Sequence, residues 1–350
     1  MTLRRTGPSP SLPQPTDVQR RKRLAGLVVL CLMLLAVLLA GVTAGVRPVP
    51  IGVTWQAIFH FDPHQSDHLL VRHLRIPRTL LAAVVGAALG VAGAIMQALT
   101  RNPLSDPGIL GINAGSALAI ACAMTLFGIS GMNGLMLSGM AGAGLAGLIV
   151  ACLGHRQHGG SPVRIVLAGA ALSIVLLSLA QIVLVNSDEH VFDQFRHWSV
   201  GSLAGRDYDV LLPVTLIVVP GLVLSLALAR ALDTAALGGD LAKALGGNPA
   251  RIWAGAALAV IVLTGAATAA AGPIGFVGLT APHMARLLAG PGHRWLLPYA
   301  MVIAALLMVG ADALGRIIAP PGEVSVGIMV ALMGGPFFIV LVRQKRMARL

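Results

Sequence analysis

Arg78-Thr79-Leu80-Leu81-Ala82-Ala83-Val84-Val85-Gly86-Ala87-Ala88-Leu89-Gly90-Val91-Ala92-Gly93-Ala94-Ile95-Met96-Gln97-Ala98-Leu99 is the stretch that decides the fold. No charged residue follows Arg78 until Arg101. At a rise of about 1.5 Å per residue, a helix over this run is about 30 Å long, the thickness of a bilayer's hydrocarbon core. A membrane β-strand would instead alternate apolar and polar residues over about ten positions. The run is apolar throughout, and the 42 glycines of the chain, with many alanines, suggest tightly packed helices whose small side chains let backbones approach closely.

The same pattern recurs in both directions. Apolar runs cover 24–46, 78–99, 108–127, 132–153, 163–185, 209–231, 251–271, 296–315 and 323–342. A tenth, over 274–290, is weaker because it holds Pro282, His283 and Arg286, and it is expected to be short, kinked or shielded from lipid. The fold class is therefore all-α and polytopic, with about ten transmembrane helices. Composition agrees: 56% of the 350 residues are hydrophobic and 11% charged, against roughly 25% charged in an average soluble domain. With a mean hydropathy of +0.84, too little polar surface exists to cover a water-soluble globule. An ordinary globular enzyme is excluded.

The chain divides into a basic, Pro-rich tail over 1–23, one transmembrane domain over 24–342 and a short basic tail over 343–350. Arg20-Arg21-Lys22-Arg23 leads directly into the first run. That run exceeds the apolar core of about 7 to 15 residues found in signal peptides. Although Val42-Thr43-Ala44 resembles a cleavage site, a retained helix is the expectation. Cytoplasmic loops are enriched in Lys and Arg. With ten spans and the N-terminus inside, only Arg47, Arg72, Arg75, Arg78, Arg196, Arg206 and Arg316 of the 25 basic residues fall outside. Both termini are then cytoplasmic, which requires an even number of spans. The formal charge of +12 is a topology signal and calls for no nucleic-acid partner.

Three lysines are present, in Arg21-Lys22-Arg23, Ala242-Lys243-Ala244 and Gln344-Lys345-Arg346. None completes the G-x-x-x-x-G-K-[ST] phosphate cradle. No G-x-S-x-G or H-E-x-x-H is found either, and Asp312 is the main carboxylate inside a span. Proton-driven transporters and membrane enzymes usually bury several ionisable groups, so a stand-alone secondary transporter and a membrane enzyme are both disfavoured. An energy source on another chain is expected. Cys31, Cys122 and Cys152 sit singly in apolar runs, which indicates neither a disulfide framework nor a zinc site.

Arg75-Ile76-Pro77-Arg78-Thr79-Leu80, Met96-Gln97-Ala98-Leu99 and Asn102-Pro103-Leu104-Ser105-Asp106-Pro107-Gly108-Ile109-Leu110-Gly111 together resemble the permease subunits of ABC importers for iron siderophores, haem and vitamin B12. Three later segments carry the same resemblance in the same order. They are Leu237-Gly238-Gly239-Asp240-Leu241-Ala242-Lys243-Ala244-Leu245-Gly246, then Gly272-Pro273-Ile274-Gly275-Phe276-Val277-Gly278-Leu279 with Pro282, His283 and Arg286, then Ala311-Asp312-Ala313-Leu314-Gly315-Arg316 before Gly334-Gly335-Pro336-Phe337-Phe338. The resemblance implies the type II ABC importer permease fold, in which helices two to five and seven to ten form an inverted repeat. It also implies an inner (plasma) membrane location in a bacterial cell and four kinds of neighbour: two ABC ATPase subunits, a periplasmic or extracellular substrate-binding protein, a second permease subunit (identical or paralogous) and the bilayer. This chain would hold no cofactor or metal and no catalytic residue, ATP and magnesium residing on the ATPase. A ferric siderophore is the favoured substrate, with haem or vitamin B12 as alternatives.

The resemblance assigns Arg75, Arg78 and Arg316 to docking of the binding protein. All three stand at outer helix ends against the general bias of the charge, and a guanidinium fork suits a carboxylate. Snorkelling to headgroups is the alternative. In the cytoplasmic region 234–247 it assigns Leu237, Gly238, Asp240, Leu241, Ala242, Leu245 and Gly246 to a helix that couples to the ATPase. Leu241, Ala244 and Leu245 share one face there, as helix-in-groove recognition needs. Asp312 and Arg316 are spaced for an i,i+4 pair, read as structural rather than as a proton relay. His283 reads as a packing residue. The outer loop with His60, Asp62, His64, Asp67, His68 and His73 reads as solvated, since Pro63 interrupts any helix that would align the groups on a metal. Between Phe192 and Arg206 a short outer helix is expected, either lining the pathway entrance or anchored in the interface by Trp198.

Overall fold

A computed structural model describes residues 17–45, 47–155, 162–238, 244 and 248–347, and every regular element among them is helical. α1 (Asp17–Thr43) begins within the tail expected over 1–23, taking Arg20-Arg21-Lys22-Arg23 into its first turns, and stops before Pro48. After α2 (Ile51–Phe59), α3 runs from Ser66 to Thr100, twelve residues further out than the apolar run itself. The extension passes through Pro77, which lacks an N–H and would crowd the carbonyl four residues back. A π-helical stretch over Leu70–Arg75 widens the turn in front of it, so that the helix continues.

The run 108–127 divides into a 3-10 turn, Pro107–Leu110, and α4 (Ile112–Thr125). Asp106 fixes the turn by accepting the Gly108 N–H at 2.8 Å. α5 (Met132–His155) and α6 (Pro162–Val185) follow, then α7 (Glu189–Ser199), then α8 (Tyr208–Ala227), where the run 209–231 breaks at Leu228 and gives a separate α9 (Ala229–Leu237). Asn248 caps α10 (Pro249–Ala271) by accepting the Arg251 N–H, with Pro249 in the first helical position. α11 (Val277–Ala289), α12 (His293–Ile318) and α13 (Val326–Met347) complete the chain.

Among the described residues, seven helices are long and apolar enough to span a bilayer: α1, α3, α5, α6, α8, α10 and α12. α4 and α13 are shorter or less uniformly apolar, and α11, the weak tenth span, has 13 residues. The segment Gly272–Phe276 ahead of α11 is non-helical, a backbone tolerated at membrane depth only where protein shields it. Here α11 packs against α3, α12, α13 and α1.

α3 is the buried centre, packed on α12, α10, α11 and α8. Glycines permit this. A Cβ on Gly93 would lie 2.0 Å from the Gly278 carbonyl oxygen, and one on Gly86 2.6 Å from that of Ala304. α3 lies on α12 as α10 lies on α5, the pairing that an inverted repeat of helices two to five and seven to ten requires. Gly86 faces α12 while Gly265 faces Ala143 of α5, so these two glycines serve equivalent contacts.

Candidate functional site

Helix connections gather at two ends. At one, a charged cluster joins four segments. Asp312, 1% exposed on α12, accepts Arg78 Nη2 at 2.8 Å and Nε at 3.0 Å, and Arg316 Nη2 lies 3.0 Å from its other oxygen. Arg78 Nη1 reaches on to Glu323 at 2.9 Å. Arg316 also donates to the Ala44 carbonyl at 3.1 Å. Arg75 donates to the carbonyls of Val42, Thr43 and Arg47, and so closes the turn after α1.

Arg75 and Arg316 thus point inward, at 6% and 4% exposure, rather than presenting free guanidinium groups. The reason is the acceptor supply: the last turn of α1 leaves carbonyls unpaired, and a buried guanidinium needs such partners. Arg78 alone of the three shares its fork with an accessible group, Glu323, whose side chain is 33% exposed. Three arginines against two carboxylates leave this cluster one positive charge in excess. The i,i+4 spacing had shown the Asp312–Arg316 pair; Arg78 and Glu323 join it only through the tertiary fold.

At the opposite end lie the starts of α1, α9 and α12. The Tyr299 hydroxyl donates to the Arg23 carbonyl, and Asp233 of α9 contacts His293 at the start of α12 at 2.7 Å. Of the expected coupling segment, Leu237 ends α9 and Gly238 follows it at φ +113° beside the Arg101 guanidinium. Asp240, Leu241, Ala242, Leu245 and Gly246 lie outside the described residues. In the last turn of α3, the Gln97 amide donates to the Gly278 carbonyl at 3.3 Å and accepts Arg286 Nη2 at 2.9 Å, pinning α11 to α3. Sequence reading missed this pair and the Asp233–His293 contact; a lone Gln in an apolar run was the one available signal.

The helix expected over 192–206 forms as α7, but Trp198 is 5% exposed and packs on Phe195 among Ala117, Ile120 and Leu184. It is a core residue, which excludes the interfacial anchor. Arg206, in the following loop, donates to the Ala270 carbonyl at 2.9 Å, and burial lowers its pKa to about 10, so it remains charged at neutral pH. In the outer loop His68 is buried rather than solvated, its Nδ1 accepting the Asp62 N–H. Among the described residues no three His, Cys, Asp or Glu converge as metal ligands. His283 meets Phe337 edge to face across a ring distance of 6.0 Å, beside a small apolar cavity of about 120 Å³ lined by Phe276, Met284, Met333 and Phe337.

Comparison with known proteins covers nearly the whole chain. The model of the FecCD transport family matches residues 32–344. The chain is 44% identical over 319 residues to the ferric enterobactin transport system permease protein FepD of Escherichia coli (strain K12), covering 90% of this chain and 94% of that one. It is 36% identical to the hemin transport system permease protein HmuU of Yersinia pestis, over 91% and 96% of the two chains. A solved inward-facing structure of a metal-chelate type ABC transporter superimposes with a TM-score of 0.82 at 29% identity, covering 92% of this chain and 99% of that one. Family-wide matching, the all-helical fold and the spans together place this chain in the FecCD transport family, as a multi-pass membrane transport permease.

Proposed function

We propose that this chain is the membrane-spanning subunit of a binding-protein-dependent ABC importer for ferric siderophores, energised by ATP on separate ATPase subunits. The observation that carries the reading is the match to the ferric enterobactin permease over nine-tenths of both chains. The end bearing Arg78 and Asp312 faces outward and the end bearing α9 and both termini faces the cytoplasm, since the Lys and Arg residues concentrate there. A second permease subunit completes the pathway. Closure of the ATPases moves the segment 234–247, and the helices then open the pathway to one side at a time.

Purification of the tagged chain in mild detergent is expected to bring down a P-loop ATPase, and vesicles holding the complex are expected to take up ferric siderophore only with ATP. Uptake by the lone chain that collapses with the proton gradient would show a secondary transporter instead. Within the coupling segment, Leu241→Asp places a charge on the apolar face and is expected to release the ATPase from the membrane fraction. Undiminished co-purification would remove that segment from the interface.

Docking of the binding protein is assigned to Arg78, with Arg75 and Arg316 holding the surrounding segments. An incoming carboxylate displaces Glu323 from the Arg78 fork. Glu323→Gln is accordingly expected to tighten binding-protein association, and Arg78→Gln to weaken it about ten-fold, the worth of one charge-assisted contact of about 1.4 kcal/mol. Equal affinities in both variants, measured on the reconstituted complex, would dismiss the assignment.

A further inference from the structure

The first turn of α12 has no side-chain cap of its own: the Gly292 carbonyl accepts the Trp295 and Leu296 N–H groups, which leaves the His293 N–H without a local acceptor. Its N-cap position is Gly292, which carries no side chain, and the first N–H groups of a helix lack internal partners. The missing cap comes from 60 residues away: Asp233 Oδ1 accepts the His293 N–H at 2.8 Å and meets His293 Nδ1 at 2.7 Å. His293 is 5% exposed, and its Nε2 has no hydrogen-bond partner. The ring is therefore held from one side alone, by Asp233.

Asp233 belongs to α9, which is separated from the spanning helix α8 by the break at Leu228 and leads straight into the segment 239–247. α12 is 26 residues long, about 39 Å as a continuous helix. At its far end it carries Asp312 and Arg316 of the outer cluster. A single continuous helix, lacking one ladder hydrogen bond at Pro298, thus joins the cytoplasmic contact of α9 to the charged cluster at the opposite end.

We propose that Asp233 and His293 are positioning residues for transport, forming the link through which movement of the cytoplasmic segment reaches α12 and the outer charged cluster. This rests on the ATPase-coupling reading of segment 234–247. Removing the link disconnects ATP hydrolysis from uptake while leaving the machine assembled.

The test uses the full complex of permease, ATPase and binding protein in vesicles, reading siderophore uptake and ATP hydrolysis together. Asp233→Ala is expected to keep the ATPase bound and hydrolysing while uptake per ATP falls by a factor within about 5 to 150, the span of typical coupling strengths. A second variant covers the case in which Asp233→Ala fails to assemble. Asp233→Cys with His293→Cys, in a background lacking Cys31, Cys122 and Cys152, replaces the polar link by a covalent one. Oxidation is expected to restore uptake per ATP and reduction to abolish it. Wild-type uptake per ATP in Asp233→Ala, or in the reduced double variant, overturns the link while leaving the coupling reading intact. If the unaltered complex shows no ATP-dependent uptake, the coupling reading fails and the link falls with it.

Discussion

Asp312→Ala is expected to cost about 3–5 kcal/mol of stability, the usual penalty for removing one partner of a buried charge set. Asp312 is 1% exposed and answers two guanidinium groups, Arg78 and Arg316. Without it both remain at an apolar helix junction, with Arg316 keeping only the carbonyl of Ala44 and that of position 312. The outer contact of Arg78 with Glu323 cannot compensate, because a pair in which one partner is a third exposed contributes at most about 1 kcal/mol. The measurement is thermal unfolding in detergent followed by size-exclusion chromatography. Asp312→Leu combined with Arg78→Met and Arg316→Met supplies the comparison. A buried charge set replaced as a whole by apolar residues is often neutral in stability, so the triple variant should unfold at a higher temperature than Asp312→Ala. A single variant as stable as the unaltered protein would mean that water reaches the cluster and solvates the guanidinium groups.

Gly93→Val is expected to prevent the folded bundle from forming. Even the Cβ of alanine would stand 2.0 Å from the Gly278 carbonyl oxygen, and the atoms it meets are backbone, which cannot rotate away as a side chain would. Overpacking typically costs about 1–3 kcal/mol where neighbours can adjust. Here α3 would have to separate from α11, breaking the Gln97 bonds to Gly278 and Arg286 as well. Gly310→Val is the control, since a Cβ at that position meets nothing within 4 Å. Monodisperse protein from Gly310→Val alongside aggregated Gly93→Val is the expected pair of elution profiles. Equal profiles would show that the α3–α11 contact is looser than the glycine geometry requires.

Much of the architecture was legible in the chain because lipid imposes one dominant rule: each span must satisfy its backbone internally and present about 20 apolar residues. The spans departed from expectation where backbone chemistry intervened. Pro77 should have ended α3, but a π-helical stretch carries the helix past it. The run 209–231 is apolar throughout, yet breaks at Leu228. For the segment around Trp198 entrance lining and interfacial anchoring both stayed open, because composition does not say which side of an amphipathic helix meets protein.

The fold class, the order of the apolar runs, the uneven distribution of basic residues along the chain and the family resemblance could all be read directly from the sequence, because each of these is local in the chain or summed along it. The partnerships did not follow from it. That Arg75 and Arg316 turn inward, that Arg78 bridges Asp312 to Glu323, and that Asp233 caps a helix 60 residues downstream are consequences of which helix ends the bundle brings together. A buried polar atom takes whichever unpaired acceptor lies within about 3 Å, and that neighbour is chosen by packing between helices rather than by spacing along them.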